Sequence, residues 1–174
     1  MSGYDPEALF RALHKAGIRY VLIGGWAVNA HGHHRYTGDV DICPDPEHAN
    51  LERLAALLRG LNASALGLEE FSPAELPADP RDPDGLAGGG NFRTLTDLGV
   101  LDLMQWVNGG DRELEYADLA ADALSAEVLG LSISVCSLPA LLEMKRAAGR
   151  PRDLEDLEHL ETDGSSRGRG QRRC

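Results

Sequence analysis

The stretch that decides the fold is Tyr20-Val21-Leu22-Ile23-Gly24-Gly25-Trp26, followed a dozen residues later by Asp39-Val40-Asp41-Ile42. Four apolar or aromatic residues ending on two glycines read as a buried strand that stops at a tight turn. Trp26 to His31 is expected as a short helix starting directly after the glycines. Asp39 to Cys43 reads as a second strand, ended by Pro44 and Pro46. In a strand, positions i and i+2 point to the same face. Asp39 and Asp41 therefore project together, and Val40 faces the core. Two carboxylates held that close repel unless a cation lies between them.

Hard oxygen ligands in pairs suit Mg²⁺, which also binds substrate phosphates. Gly24 and Gly25 lack a Cβ, so the backbone can approach a phosphate, and N–H groups at a helix start favour an anion. Asp-x-Asp alone is common on surface strands, and so is Gly-Gly after a strand. Their combination in this order is what carries the reading. A third acid, Asp102, sits in the apolar run Gly99-Val100-Leu101-Asp102-Leu103-Met104. A lone carboxylate there costs free energy unless it is paired or metal-bound. If this strand lies beside the Asp39/Asp41 strand, three carboxylates converge, enough for two divalent ions. Asp102 can also accept a proton from a hydroxyl. The ordinary alternative is an acid pointing outward from an edge strand.

Around this centre the chain alternates helix and strand signals without a regular βαβ period, which predicts an α+β class with a small mixed sheet flanked by helices. Asp5-Pro6-Glu7 opens a first helix carrying Leu9, Phe10, Leu13 and Ala16, and Gly17 stops it. Glu47 to Arg59 is amphipathic through Leu51, Leu54, Ala55 and Leu58. Residues 72–90 are rich in Pro, Asp and Gly and read as a loop. Phe92 to Leu95 and Val100 to Val107 are expected as hairpin strands around Thr96-Asp97-Leu98-Gly99. Residues 114–123 read as helical, and Ala126 to Cys136 as two short strands around Gly130. Ser137 caps a helix bearing Leu141, Leu142, Met144 and Lys145. Asp153 to Glu161 is a final acidic helix. Residues 1–162 are expected to form one domain with C-terminal helices, and 163–174 a disordered Gly/Ser/Arg-rich tail.

Several segments together carry a resemblance. The Gly-Gly turn, the Asp-x-Asp pair and the later strand Asp resemble the nucleotidyltransferase superfamily related to DNA polymerase β. Tyr20 to Ala27, Arg35-x-Thr37-x-Asp39-Val40-Asp41-Ile42 and Lys145-x4-Arg150-x2-Asp153-Leu154-x-Asp156-Leu157 resemble the AbiEii-type toxin nucleotidyltransferases. The Gly-Gly-Trp start is also similar to lincosamide nucleotidyltransferases. The resemblance spans about residues 7–160, with its specificity in those three short segments. It implies a minimal nucleotidyltransferase fold. It also implies transfer of a nucleoside monophosphate from an NTP to an acceptor hydroxyl, with release of pyrophosphate.

On this resemblance Gly24 and Gly25 match the phosphate-binding turn, Asp39 and Asp41 the metal pair, and Asp102 the third, base-like carboxylate. Lys145 matches a lysine that meets the triphosphate, and Asp153 the acid after it. Arg35 and Thr37, just upstream of the metal pair, touch phosphate or fix the strand. Read from the residues alone, Lys145 sits in the most basic stretch of the body. A solvated helix face is an equally good account of it. Helix capping is an alternative for Asp153. His31, His33 and His34 lack zinc-site partners and are expected in a loop near nucleotide or acceptor, or simply on the surface. Trp26 and Trp106 are expected in the core rather than as stacking platforms.

Composition bounds the partners. The 174 residues carry a formal charge of −11, which weighs against a nucleic-acid partner. However, Arg167, Arg169, Arg172 and Arg173 concentrate positive charge in the tail, where contact with RNA phosphates and an inert terminus are both open. Three cysteines at wide spacing, Cys43, Cys136 and Cys174, weigh against a disulfide framework or zinc ribbon. No apolar run suits a membrane span, and no secretory leader is visible, so a cytoplasmic location is expected.

The AbiEii-type likeness favours a toxin of a toxin–antitoxin pair acting on tRNA or another cellular target, with an antitoxin protein as a possible partner. The Gly-Gly-Trp likeness keeps a lincosamide- or aminoglycoside-type small-molecule acceptor open. A third reading is a non-catalytic antitoxin or nucleotide-binding module.

Overall fold

The structure is a computed structural model describing residues 3–67 and 78–167, with side chains through 162. Residues 72–77 of the expected loop and 168–174 of the expected tail lie outside the described residues.

Helix α1 (Pro6–Lys15) starts as its sequence dictates. The Asp5 carboxylate accepts from the Ala8 N–H at 2.9 Å, Pro6 takes the first helical position, and Leu9, Phe10 and Leu13 are fully buried. β1 (Tyr20–Ile23) leads directly into α2 (Gly24–Ala30), which begins on the glycines rather than after them. β2 (Asp39–Pro44) shows the expected alternation, with Val40 and Ile42 buried between the partly exposed Asp39 and Asp41. α3 (His48–Gly60) buries Leu51, Leu54, Ala55 and Leu58. A short strand β3 (Ser64–Ala65) and a one-turn helix α4 (Pro83–Ala87) follow. The sequence reading missed both. Asp82 accepts from the Asp84 N–H and Leu86 is buried, which gives α4 a cap and an anchor within a Pro/Gly-rich stretch.

β4 (Asn91–Thr96) and β5 (Gly99–Met104) form the expected hairpin. The apolar run does not continue to Val107 in one strand. It breaks at Gln105, and β6 (Trp106–Asn108) pairs instead with β7 (Glu113–Glu115) in a separate ribbon. α5 (Tyr116–Ala121), β8 (Leu124–Val128), β9 (Leu131–Val135) and α6 (Leu138–Ala148) come next. Ser137 caps α6 through the Ala140 N–H, and Gly149 ends it in the left-handed conformation at φ +60°. α7 (Pro151–Arg167) reaches into the segment expected as tail.

Seven strands form one mixed sheet in the order β3-β4-β5-β2-β1-β9-β8. The pairs β2·β5 and β1·β9 are parallel, and the other four are antiparallel. This is the α+β arrangement expected. β2 lies at the centre, flanked by β1 and β5. Three register pairs therefore build the site: Ile23 opposite Asp41, Asp41 opposite Asp102, and Arg93 opposite Asp102. No helix among the described residues is long and apolar enough to cross a membrane.

Candidate active site

Asp39, Asp41 and Asp102 converge. One carboxylate oxygen from each lies within 4.8 Å of the others. β5 is an interior strand, so Asp102 does not point outward from an edge. Its Oδ2 accepts from Arg93 Nη1 at 2.9 Å, while its Oδ1 is buried with no hydrogen-bond partner among the described residues. A buried carboxylate oxygen left unsatisfied is costly, and a cation between the three acids is the kind of ligand that would satisfy it. The donor set, oxygen only and bearing three potential negative charges, fits Mg²⁺.

The acids perturb one another. Burial first, then the charges of Asp39 and Asp102, push Asp41 up to about 7. Burial also raises Asp102, to about 6, with Arg93 opposing and Asp39 adding to the rise.

The glycine turn has a specific task. Gly24 has φ +65°, and a Cβ there would lie 2.1 Å from Asp41 Oδ2. The Gly25 backbone N–H acts against the rise at Asp41, and a Cβ on Gly25 would lie 2.5 Å from Thr37 Oγ1. The turn therefore lets the Asp41 carboxylate and the loop at Thr37 close on the backbone. Thr37 is buried. Its hydroxyl lies 3.2 Å from the Asp39 carbonyl and 3.4 Å from Asp39 Oδ1, which fixes the strand rather than leaving the hydroxyl to a substrate.

The C-terminal helices close the site from the other side. Lys145 on α6 is buried, with its Nζ 2.7 Å from Asp153 Oδ1 and 2.9 Å from Asp156 Oδ2. It is not a solvated face. Arg150 donates to Asp153 Oδ2 at 2.7 Å, so Asp153 binds two cations in addition to standing in the first turn of α7. Arg35 grips Asp156 with two donors, at 2.6 and 2.8 Å. Burial would raise both Asp153 and Asp156, yet these ion pairs hold both below the usual carboxylate range. A chain of opposite charges thus ties the loop before β2 to α6 and α7.

Two adjoining spaces result. A polar cleft of about 250 Å³ is lined by Gly24, Gly25, Thr37, the three acids, Arg35, Arg93, Lys145, Arg150, Arg152 and Asp153. Beside it, an apolar pocket of about 240 Å³ is walled by Met104, Trp106, Val107, Leu141, Met144 and Ala148 and opens onto Gly24 and Asp41.

No protein-family model matches the chain, and no curated protein sequence matches it. Solved structures do. A lincosamide antibiotic adenylyltransferase, LnuA, solved with lincomycin, aligns over 92% of this chain and 98% of its own at 15% identity and a TM-score of 0.60. The resistance factor ANT(2″)-Ia, solved with adenylyl-2″-tobramycin, aligns over 91% and 88% at 16% identity and 0.58. TM1012 of Thermotoga maritima, described as a candidate nucleotidyltransferase, aligns over 92% and 96% at 18% identity and 0.52. The chain has the nucleotidyltransferase fold.

Within that fold, the nine residues singled out in the sequence all line the polar cleft, and three further cleft residues were not among them. Arg93 faces Asp102 because the turn Asp97-Leu98 pairs Thr96 with Gly99, and that register carries Arg93 to Asp102. Counting back from the turn would have found it. Arg152 follows two residues after Arg150 and donates to the Tyr36 carbonyl; Asp156, which is not part of the cleft lining, lies three residues after Asp153, one helical turn on. Arg150 reaches Asp153 from just before α7.

Trp106 is not a core residue. It is 42% exposed and walls the apolar pocket, with its backbone bonded to the Asn91 side chain at 3.1 and 3.4 Å. Trp26 does pack inward, edge-on to Phe10, and donates to the Tyr4 hydroxyl. His31 and His33 belong to the frame, and His34 is exposed. His31 Nε2 contacts the Cys136 carbonyl at 2.8 Å, and His33 stacks on His159 of α7 with ring centroids 4.1 Å apart.

Proposed function

We propose that the chain is a metal-dependent nucleotidyltransferase that moves a nucleoside monophosphate from an NTP to a hydroxyl on a small molecule. The observation that carries this is the carboxylate triad with its unpartnered Asp102 oxygen, set beside a glycine turn in a cleft walled by cations. Asp39, Asp41 and Asp102 would hold Mg²⁺, which when bound neutralises the triphosphate and steadies the leaving pyrophosphate.

The chain's own residues supply the rest. Arg93, Arg150 and Arg152 line the cleft where the triphosphate lies. Asp102 takes the proton as the acceptor oxygen bonds to the α-phosphorus and the bond to the β-phosphate oxygen breaks. The charge chain through Lys145, Asp153, Asp156 and Arg35 holds the two halves of the cleft in register.

Two features support a small acceptor over tRNA and over an AbiEii-type toxin role. The basic stretch that would start a nucleic-acid track is largely occupied internally: Lys145 is buried between acids, and Arg146 pairs with Glu161. The pocket adjoining Asp41 is apolar and aromatic, which suits a compact ligand with an apolar face. The two antibiotic-modifying neighbours, solved with lincomycin and adenylyl-2″-tobramycin, fit the same reading.

The test is incubation with α-labelled NTPs, Mg²⁺ and, in separate arms, total tRNA, lincomycin and tobramycin. Label should pass to a small molecule and vanish in Asp39→Ala and Asp41→Ala. Label on tRNA would overturn the acceptor assignment. Absence of Mg²⁺–NTP binding by calorimetry would favour the non-catalytic antitoxin.

A further inference from the structure

Arg93 stands where a cation belongs. Its guanidinium donates to Asp102 Oδ2 at 2.9 Å and reaches Asp39 Oδ2 at 3.3 Å, bridging two of the three acids that form the triad. Without such a bridge the acids would repel one another across a gap of a few ångströms. The other cations of the cleft have partners away from the triad: Lys145 and Arg150 hold Asp153, Arg35 holds Asp156, and Arg152 donates to the Tyr36 carbonyl at 2.5 Å. Arg93 shares its partners with the metal.

We infer that Arg93 is a displaceable clamp: it bridges Asp39 and Asp102 in the metal-free protein, and turns its guanidinium to the nucleotide's phosphates once a metal ion takes those carboxylates. The inference rests on the nucleotidyltransferase reading of the site. Three features make the exchange feasible. The Arg93 side chain is 53% exposed, so its guanidinium re-enters water at little cost, while Asp102, 11% exposed, passes from one cation to another. Its backbone is fixed directly opposite Asp102 in the β4·β5 ladder, so the head group swings while its root stays beside the triad. The planar fork of arginine matches phosphate as well as it matches carboxylate. Metal and nucleotide are then coupled: arrival of the first frees a phosphate-binding donor for the second, and the coupling is reciprocal.

The clamp makes metal-alone and metal–nucleotide affinities move in opposite directions. Mn²⁺ is titrated against the full chain by electron paramagnetic resonance, alone and with α,β-methylene-ATP, for the wild type, Arg93→Met and Arg93→Lys. Arg93→Met should bind Mn²⁺ alone about fivefold more tightly, the scale of one ion pair whose arginine end is exposed, and the metal–nucleotide complex about fivefold more weakly. Arg93→Lys, which keeps the charge but loses the fork, should leave Mn²⁺ affinity near wild type and bind the metal–nucleotide complex at an intermediate level.

If Arg93→Met weakens Mn²⁺ alone, the arginine merely props the acids and the inference is overturned. An unchanged metal–nucleotide affinity overturns it equally. Failure of the underlying site reading looks different: the wild type itself would bind no Mn²⁺ beyond the level seen in Asp41→Asn.

Discussion

Gly24 can be tested against a control that the same chain provides. Gly24 and Gly17 have nearly identical left-handed backbones, at φ +65° and +64°. A Cβ on Gly17 would meet nothing within 4 Å, whereas one on Gly24 would lie 2.1 Å from Asp41 Oδ2 and 2.6 Å from its Cγ. Gly17→Ala therefore measures the conformational strain alone, about 1–2 kcal/mol, or a fall in melting temperature of about 2–8 °C for a domain of this size.

Gly24→Ala carries the same strain and adds a clash that can be relieved only by moving the Asp41 carboxylate by more than an ångström. Asp41 is partly buried, in register with Ile23 on one side and Asp102 on the other, so it has little room to retreat. The expected result is a larger melting shift than for Gly17→Ala, together with at least a tenfold loss of Mn²⁺ affinity, because a ligand displaced by that much no longer meets the short metal–oxygen distances required. Calorimetric melting and Mn²⁺ titration of both variants decide it. If Gly24→Ala matches Gly17→Ala in both, the turn does not position Asp41 and the account of the glycines is wrong.

Two further outcomes follow from the charges. Lys145→Met leaves the buried Asp153 and Asp156 with only Arg150 and Arg35, and should lower stability by about 2–3 kcal/mol, less than for a buried pair left wholly uncompensated; a melting temperature within a degree of wild type would show that Lys145 does not hold the helices. Asp41 and Asp102 have folded values of about 7 and about 6, above the 3.8 of an ordinary aspartate. The metal-free fold therefore keeps protons that the unfolded chain releases. That contribution to stability is full below about pH 4 and is lost as pH rises toward 7. Asp153 and Asp156, held low, act in the opposite sense only at more acid pH. In chelator the melting temperature should fall between about pH 5 and 8 while Mn²⁺ affinity climbs; a melting temperature that rises over that range in chelator would contradict the raised values.

Local sequence determined much of the frame. Asp5-Pro6, Ser137 and the helical spacing of Leu51, Leu54 and Leu58 fixed helix starts and buried faces, because caps and amphipathic stripes act within a turn or two. The alternation in Asp39-Val40-Asp41-Ile42 put both acids on one face, since strand geometry has a period of two. The turn at Asp97-Leu98 even encoded the pairing of Arg93 with Asp102. What local sequence left open was whether Asp102 would meet Asp39 and Asp41. That depends on β5 lying parallel beside β2, some sixty residues away in the chain, a choice made by packing of the whole sheet.

The same holds for the elements that were misjudged. Val100 to Val107 is continuously apolar apart from Asp102 and Gln105, so periodicity could not show that the strand breaks at Gln105 and sends Trp106 out to wall a pocket. Read from the residues alone, Lys145 suited a phosphate contact and a solvated helix face equally well, and only the folding back of α7 placed Asp153 and Asp156 against it. The sequence by itself determined which side chains were available and which way each faced along its own element. Only the tertiary structure decided which of them meet, because strand order, the parallel β2·β5 register and the docking of α7 depend on burying apolar surface drawn from the entire chain.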